Sequence, residues 1–412
     1  MAEAYTGSPR RILLADADAF FVAVARMVDP EGAGKADLLI VGGERDSRGV
    51  VCSASYSARK FGVRSAMPIA RAVRLCPNAL CVPIPRRACS EKGREIRRVL
   101  ARFAPVVETA SIDEWYLDLG GTEGLYRGES LSSTATRIRL AVHETTGLSV
   151  SIGGGTSKLI AKMAVEAAKP KPGTGATGIH VVEPGKEAEW MRRFELADIP
   201  MVGPRFQDRL GKLGLRTVED VLKYDLAGLT RWLNTGKREA LWLFNRVRGI
   251  DDSPVQRGEQ AKSISRDETF AKDIGETAEL ERELLRLATR AAFDLRSDDL
   301  AARTITVRIR DFDFRTRQAS RTLPAAVISD RVIFATARDL LAKLRRARRV
   351  RARLLGVALS SLAPYETSSQ MTLFAEIQEA NRDTDRDRAL ARSVDSVRDK
   401  FGAGAIVPAG LK

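Results

Sequence analysis

Cysteine and histidine are scarce in this 412-residue chain. The four cysteines, at 52, 76, 81 and 89, include no CxxC pair, so neither a zinc cluster nor a disulfide framework is expected. Two histidines, His143 and His180, are too few for a His-rich metal cage and make a His-based triad improbable. His143-Glu144 also lacks the second histidine of a zinc-protease helix. Long apolar runs are missing: none approaches the roughly 20 residues that cross a bilayer. No apolar leader stretch precedes the first strand-like segment, and a cytoplasmic protein without membrane contact is the expectation. Internal repeats are absent too.

Acidic residues are in deficit, 53 against 68 lysines and arginines, for a net charge of +15. The excess is concentrated: Arg303 to Arg353 holds 15 basic residues and 4 acidic ones. Such a field suits a polyanion, nucleic acid before an anionic membrane surface, and a solvated basic face is the plain alternative. With 44% apolar residues, the chain can fill roughly two to four packed domains.

Hydrophobic patterning outlines those domains. Ile12 to Ala15 reads as a short buried strand ending at Asp16 and Asp18, with a helical Ala19 to Arg26 behind it. Strand-like runs follow at 38–41 and 50–53, then a helical stretch over 57–75 broken at Met67-Pro68. A helix near 90–103 precedes strands at 106–109 and 115–119, which flank Ser111-Ile112-Asp113-Glu114. Helix 131–145, strand 149–153 and helix 157–168 complete an α/β or α+β sheet domain. Gly173 to Gly178 spells GxGxxG, but it follows Pro-Lys-Pro and leads into the strand-like Ile179 to Val182, so a dinucleotide site is rejected. Short helices dominate 194–249, and a polar linker runs from Asp251. Beyond it, helix 276–297, the alternating strand 304–310, helix 330–344 and strand 353–359 form a small α/β module.

Three carboxylates stand out. Asp16 shares strand parity with Ile12 and Leu14, and a carboxylate on a buried face must be paired or bind a metal. Asp113 and Glu114 are adjacent, so their joint action requires a turn or bulge. Carboxylates on adjoining strands could hold two divalent cations through oxygen; helix capping or turn chemistry is the bland alternative.

Their surroundings carry a family resemblance. Asp16-Ala17-Asp18-Ala19-Phe20-Phe21, Ser53-Ala54-Ser55-Tyr56-Ser57-Ala58-Arg59, Ser111-Ile112-Asp113-Glu114 and Lys169-Pro170 stand in an order that resembles the Y-family translesion DNA polymerases of the DinB, or polymerase IV, type. The likeness runs from about Arg11 to Leu362. It implies an α+β multidomain right-hand polymerase. The palm would comprise 1–19 and 85–172, the fingers 20–84, and a helical thumb with a helix-hairpin-helix 173–250. A linker (251–261), an α/β little finger (262–362) and a flexible tail (363–412) would follow. It also implies primer–template DNA and dNTP as substrates of a monomer that is error-prone and lacks proofreading.

The same resemblance assigns residues. Asp16, Asp113, Glu114 and the Ala17 carbonyl would bind two Mg²⁺ ions, with Mn²⁺ as a substitute, and the three carboxylates would be catalytic. Ser53, Tyr56, Arg59 and Lys169 would hold the triphosphate, and Phe21 would be the steric gate against ribose; Phe20 reads as core and Asp18 as structural. Trp115 departs from the small residue usual there, and its indole would either repack the sheet floor or approach the primer end. Ile199 to Pro204 with Lys212 to Leu215 resembles the thumb hairpin, where Gly203 would offer backbone N–H groups to a phosphate. Arg308, Arg310, Arg315 and Arg317 would grip the DNA backbone. Gln370, Met371, Leu373 and Phe374 resemble the peptide that docks on the bacterial sliding clamp. The alternatives are a non-catalytic DNA- or partner-binding relative, and a palm-like enzyme acting on free nucleotides.

Overall fold

Ile12–Ala17 forms β1, with all six residues buried, the pattern of a central strand covered on both faces. The computed structural model describes residues 9–170, 175–234, 236–258, 261–365, 382–402 and 404–411. Two units can be taken separately, Met1–Glu259 and Gln260–Lys412.

In the first unit β1 is followed by α1 (Phe20–Val28), β2 (Leu39–Val41), β3 (Ser53–Ala54), α2 (Tyr56–Lys60), α3 (Ile69–Leu75), β4 (Leu80–Val82) and α4 (Arg86–Leu100). Next come β5 (Val106–Thr109), β6 (Glu114–Asp118), α5 (Leu131–Thr146), β7 (Val150–Gly155), α6 (Lys158–Ala168) and β8 (Ile179–Val181). Five short helices close the unit: α7 (Glu187–Met191), α8 (Pro204–Lys212), α9 (Val218–Leu222), α10 (Leu226–Leu233) and α11 (Lys237–Arg246).

Five strands form a sheet in the order β5-β6-β1-β7-β8, and a smaller sheet runs β3-β2-β4. Alternation along β1 sends Leu13 and Ala15 to one face, where Trp115, Leu117, Phe20, Ile96 and Ile138 join them in a core. Ile12 and Leu14 face the other way, onto Ala161 and Val165 of α6. Trp115 is 1% exposed and pairs with Ala15, so its indole fills the floor of the sheet. Gly153 lets α6 lie close: a Cβ there would collide with backbone at Ala161 and Val165.

Residues 251–257, read from sequence as a linker, lie along this unit. Val255 is buried with Ile12 and Leu14, Glu108 accepts from Gln256 N, and Asp251 accepts from Leu159 N.

The second unit runs β9 (Ser263–Ile274), α12 (Thr277–Ser297), β10 (Leu300–Asp311), β11 (Thr316–Val327), α13 (Asp330–Ala347), β12 (Ala352–Pro364) and α14 (Asp385–Phe401). Its antiparallel sheet has the order β11-β10-β12-β9. Ile305, Val307 and Ile309 pack under α12 and α13, with Leu284, Ala288, Ala291 and Leu295 of α12 buried at the spacing read from sequence. The outer strands β9 and β11 have no counterpart in the sequence reading. Both are edge strands, with few buried apolar residues to betray them.

The expected flexible tail is ordered in its described part. Asp383 accepts from the amides of Ile328 and Ser329 and from the Ser329 hydroxyl. Arg296, its side chain only 7% exposed, grips Asp395 of α14 at 2.5 and 2.9 Å, and Arg331 does the same to Asp387. Polar residues dominate α14, so its attachment comes from partners remote in sequence. Among the described residues, no helix is long and apolar enough to cross a membrane. Asp395→Ala should destabilise the second unit by about 2 kcal/mol, because it removes two charge-assisted hydrogen bonds from a buried guanidinium that keeps Asp330 and the Ile328 carbonyl. Urea unfolding checks this, with the exposed Asp399→Ala expected to be silent.

Candidate active site

Antiparallel pairing places Asp16 of β1 directly opposite Glu114 of β6. The two acidic segments are also joined by backbone, since Ala17 N donates to the Asp113 carbonyl at 2.9 Å. The turn required by adjacent carboxylates is present: the amides of Ala110 and Ser111 both donate to the Glu114 carbonyl. Within it the Asp113 carboxylate accepts from the Ser111 hydroxyl at 2.5 Å.

Two lysines reach this centre from the α6 side. Lys162 Nζ lies 2.5 Å from Glu114 Oε1 and 4.0 Å from Asp16 Oδ2. Lys169 Nζ lies 2.9 Å from Asp16 Oδ2 and 2.7 Å from Glu166. They stand about two helical turns apart, hence on one face. Lys169 was anticipated, whereas Lys162 was not; its spacing from Lys169 is the signal that could have found it.

Burial dominates the electrostatics. It pushes Asp16 up to about 7, with Glu114 adding and the two lysines opposing. Burial also works to lower Lys169, but Asp16 and Glu166 override it and hold that ammonium above its ordinary range. Asp18 is raised by burial, against a 2.7 Å hydrogen bond from Ser151. An all-oxygen donor set around a buried carboxylate, neutralised only by ammonium groups, fits a hard divalent cation. Asp16 and Glu114 are brought together and Asp113 is not, its carboxylate being turned to Ser111. Among the described residues, no three acidic, His or Cys side chains stand ready to hold one ion.

The neighbouring helix starts supply cations and rings. Ser55 caps α2 by accepting from Ala58 N, which sets Tyr56 and Arg59 on its first turn. The Arg59 guanidinium lies 5.0 Å from the Tyr56 ring centre, its Nε donates to the Ala54 carbonyl, and Nη2 reaches the Ser53 hydroxyl at 3.5 Å. Burial raises the Tyr56 phenol, and Asp18 and Asp16 add to this while Arg59 and Lys169 oppose it. Tyr56 therefore shares one electrostatic field with the acidic centre. Ala19, left-handed at φ 47°, turns the chain from β1 into α1. Phe20 is buried there, while Phe21 stays half-buried, edge-to-face with it at 5.5 Å.

Residues expected to touch DNA divide. Gly203 is the N-cap of α8, and a Cβ on it would meet nothing within 4 Å. Arg308 and Arg310 share the uncovered sheet face with Thr304 and Thr306, Arg308 being 3.6 Å from Asp267 and Arg310 bonded to the Thr316 hydroxyl. Arg315 is exposed in the turn after β10. Arg317 is a correction: it pairs with Ile309 on the helix-covered face. Its guanidinium is committed to Asp311 and to the Leu344 carbonyl, so it holds the fold. Gln370, Met371, Leu373 and Phe374 lie outside the described residues.

The chain is similar to known proteins in sequence and in fold. Residues 15–166 match the model of the impB/mucB/samB family, and residues 261–373 match that of its C-terminal domain. A DNA polymerase IV of Dehalococcoides mccartyi is 34% identical over 399 residues, covering 97% of each chain. Among solved structures, the Y-family DNA polymerase chimera Dbh-Dpo4(243-245)-Dbh aligns with a TM-score of 0.73 and 25% identity, over 85% of this chain and 98% of that one. An insertion ternary complex of Dbh DNA polymerase aligns over the same shares, with a TM-score of 0.59 and 26% identity.

The raised Asp16 sets a pH test. Between its ordinary 3.8 and about 7, the unfolded chain releases a proton that the folded chain keeps, so stability falls as pH rises through that window. In chelator, Asp16→Asn should therefore raise Tm at pH 8 by more than at pH 5. Thermal melts at the two pH values decide it.

Proposed function

The chain belongs to the impB/mucB/samB family, the Y-family DNA polymerases of the DNA polymerase IV type, and we propose that its acidic centre joins an incoming deoxynucleotide to a primer 3′ end. It is a DNA-directed DNA polymerase of translesion synthesis. The observation that carries the site assignment is the pairing of Asp16 with Glu114, with the Ala17–Asp113 backbone bond beside it. A non-catalytic relative would have no use for carboxylates assembled at such electrostatic cost.

Asp16, Glu114, Asp113 and the Ala17 carbonyl would hold two divalent cations, Mg²⁺ or Mn²⁺ in its place. Bound there, such ions neutralise the triphosphate and make the primer hydroxyl more acidic. Asp113 would exchange the Ser111 hydroxyl for a cation. Lys162 and Lys169 keep the buried oxygens compensated without ions, and a bound cation would release Lys169 from Asp16 to meet the triphosphate. Tyr56 supplies a hydroxyl and Arg59 a planar fork for phosphate oxygens, with Ser53 steadying Arg59. Phe21, half-buried at the start of α1, presents a ring to the sugar and excludes a 2′-hydroxyl.

The architecture is read accordingly. The five-stranded sheet is the palm, extended by β8 past the boundary at 172, and residues 20–84 are the fingers. Helices α7–α11 form the thumb, where Gly203 offers backbone donors to a phosphate. The second unit contains the little finger, whose open face of Thr304, Thr306, Arg308, Arg310 and Thr316, with Arg315 at its end, suits DNA backbone of any sequence. The peptide at Gln370–Phe374 would dock a sliding clamp. A cytoplasmic monomer without proofreading completes the reading.

Primer extension tests it. Asp113→Ala should cut extension by roughly a hundredfold or more with DNA affinity nearly unchanged in a gel-shift assay; retained extension removes the metal assignment. Phe21→Ala should raise ribonucleotide insertion on the order of tenfold to a hundredfold. Single-nucleotide insertion kinetics with dNTP and rNTP measure that change.

A further inference from the structure

The hairpin joining β10 to β11 exposes two aromatic rings at its tip. Phe312 is 52% exposed and Phe314 is 63% exposed. They do not sit on a loose loop. Phe312 N donates to the Arg351 carbonyl, Phe314 N to the Asp311 carbonyl, and Asp311 N to the Arg315 carbonyl. At the base, Asp311 has no exposed surface and accepts from Arg317 at 2.8 and 3.0 Å and from Arg348 at 2.6 Å. Arg348 also holds Asp313 at 2.9 Å. Phe314 sits at φ 66°, a left-handed conformation that a bulky residue adopts only when its surroundings impose it. The turn is thus fixed with both rings outward.

The charge beside the rings is positive. The Arg353 guanidinium lies 4.7 Å from the Phe314 ring centre, and Arg315 and Arg351 are exposed close by in the chain. The acidic groups of the turn, Asp311 and Asp313, are already compensated by Arg317 and Arg348. Rigid aromatic faces beside guanidinium groups suit a strand that presents bare base faces and phosphates together. Single-stranded nucleic acid does so, whereas a duplex hides its base faces in the stack. An apolar protein patch would gain nothing from the arginines.

We propose that the tip formed by Phe312 and Phe314, with Arg353, is a stacking site for unpaired bases of a single nucleic-acid strand. The inference rests on the polymerase reading, which supplies such a strand as uncopied template. The site uses none of the carboxylates of the acidic centre, and of the backbone-binding arginines assigned above only Arg315 adjoins it in the chain.

The test uses the full chain and a short oligothymidylate as probe. The double variant Phe312→Ala, Phe314→Ala should weaken binding by roughly fivefold to a hundredfold. The salt dependence should keep its slope because no charge is removed. Blunt duplex binding should be unchanged, Phe314→Tyr should behave as wild type, and a Phe314→Trp variant should lose fluorescence on adding the probe. Unchanged oligothymidylate affinity in the double variant overturns the proposal, and so does an equal loss on blunt duplex. A defect seen only when a second protein is present, with probe binding intact, assigns the tip to a protein partner and also overturns it. Wild-type primer extension is run alongside. Extension with unaltered probe binding in the double variant sinks this inference alone, whereas a wild-type chain that never extends primers sinks the polymerase reading.

Discussion

A carboxylate buried beside a second carboxylate is the constraint on which the first unit is arranged. Asp16 would be intolerable on the face it occupies without compensation. The compensation comes from lysines placed by α6, which can lie close enough only because β7 carries glycine at 153. Strand order, helix placement and the glycine-rich strand all converge on these few oxygens.

The second unit solves the same problem differently. Asp311 is buried too, with no exposed surface at all, but its partners are the guanidinium groups of Arg317 and Arg348. Planar, permanently charged forks lock a carboxylate in place, whereas an ammonium is a compact point charge on a flexible stem that can yield to another cation. One buried acid therefore serves as a hinge pin for a hairpin. The other keeps partners that a cation can displace.

Much of the fold was legible along the chain. The buried run at Ile12 follows from burial of both faces of a strand, and the alternation from Thr304 and the helical spacing of α12 from burial of one, which side-chain patterning reports directly. The edge strands β9 and β11 were not legible, because an edge strand needs few apolar residues and draws its hydrogen bonds from a neighbour. α14 was hidden for a related reason: acid–base pairs to Arg296 and Arg331, far back in sequence, hold it down. Arg317 looked like its neighbours Arg308 and Arg310 until strand register turned it to the covered face.

For the candidate site, it was the family resemblance carried by the motifs and their order that nominated Asp16, Asp113, Glu114, Tyr56, Arg59 and Lys169; by residue type alone the carboxylates also fitted caps or turns, and Tyr56 and Arg59 an ordinary helix start. Which of them meet was a tertiary matter. Asp16 faces Glu114 because two antiparallel strands share a register, and Asp113 accepts from the Ser111 hydroxyl within its own turn. Lys162 entered through a helix packed over the sheet. A chain can advertise its reactive groups one at a time, but distances between remote segments, and the burial that changes their charge, exist only once the backbone has closed around them.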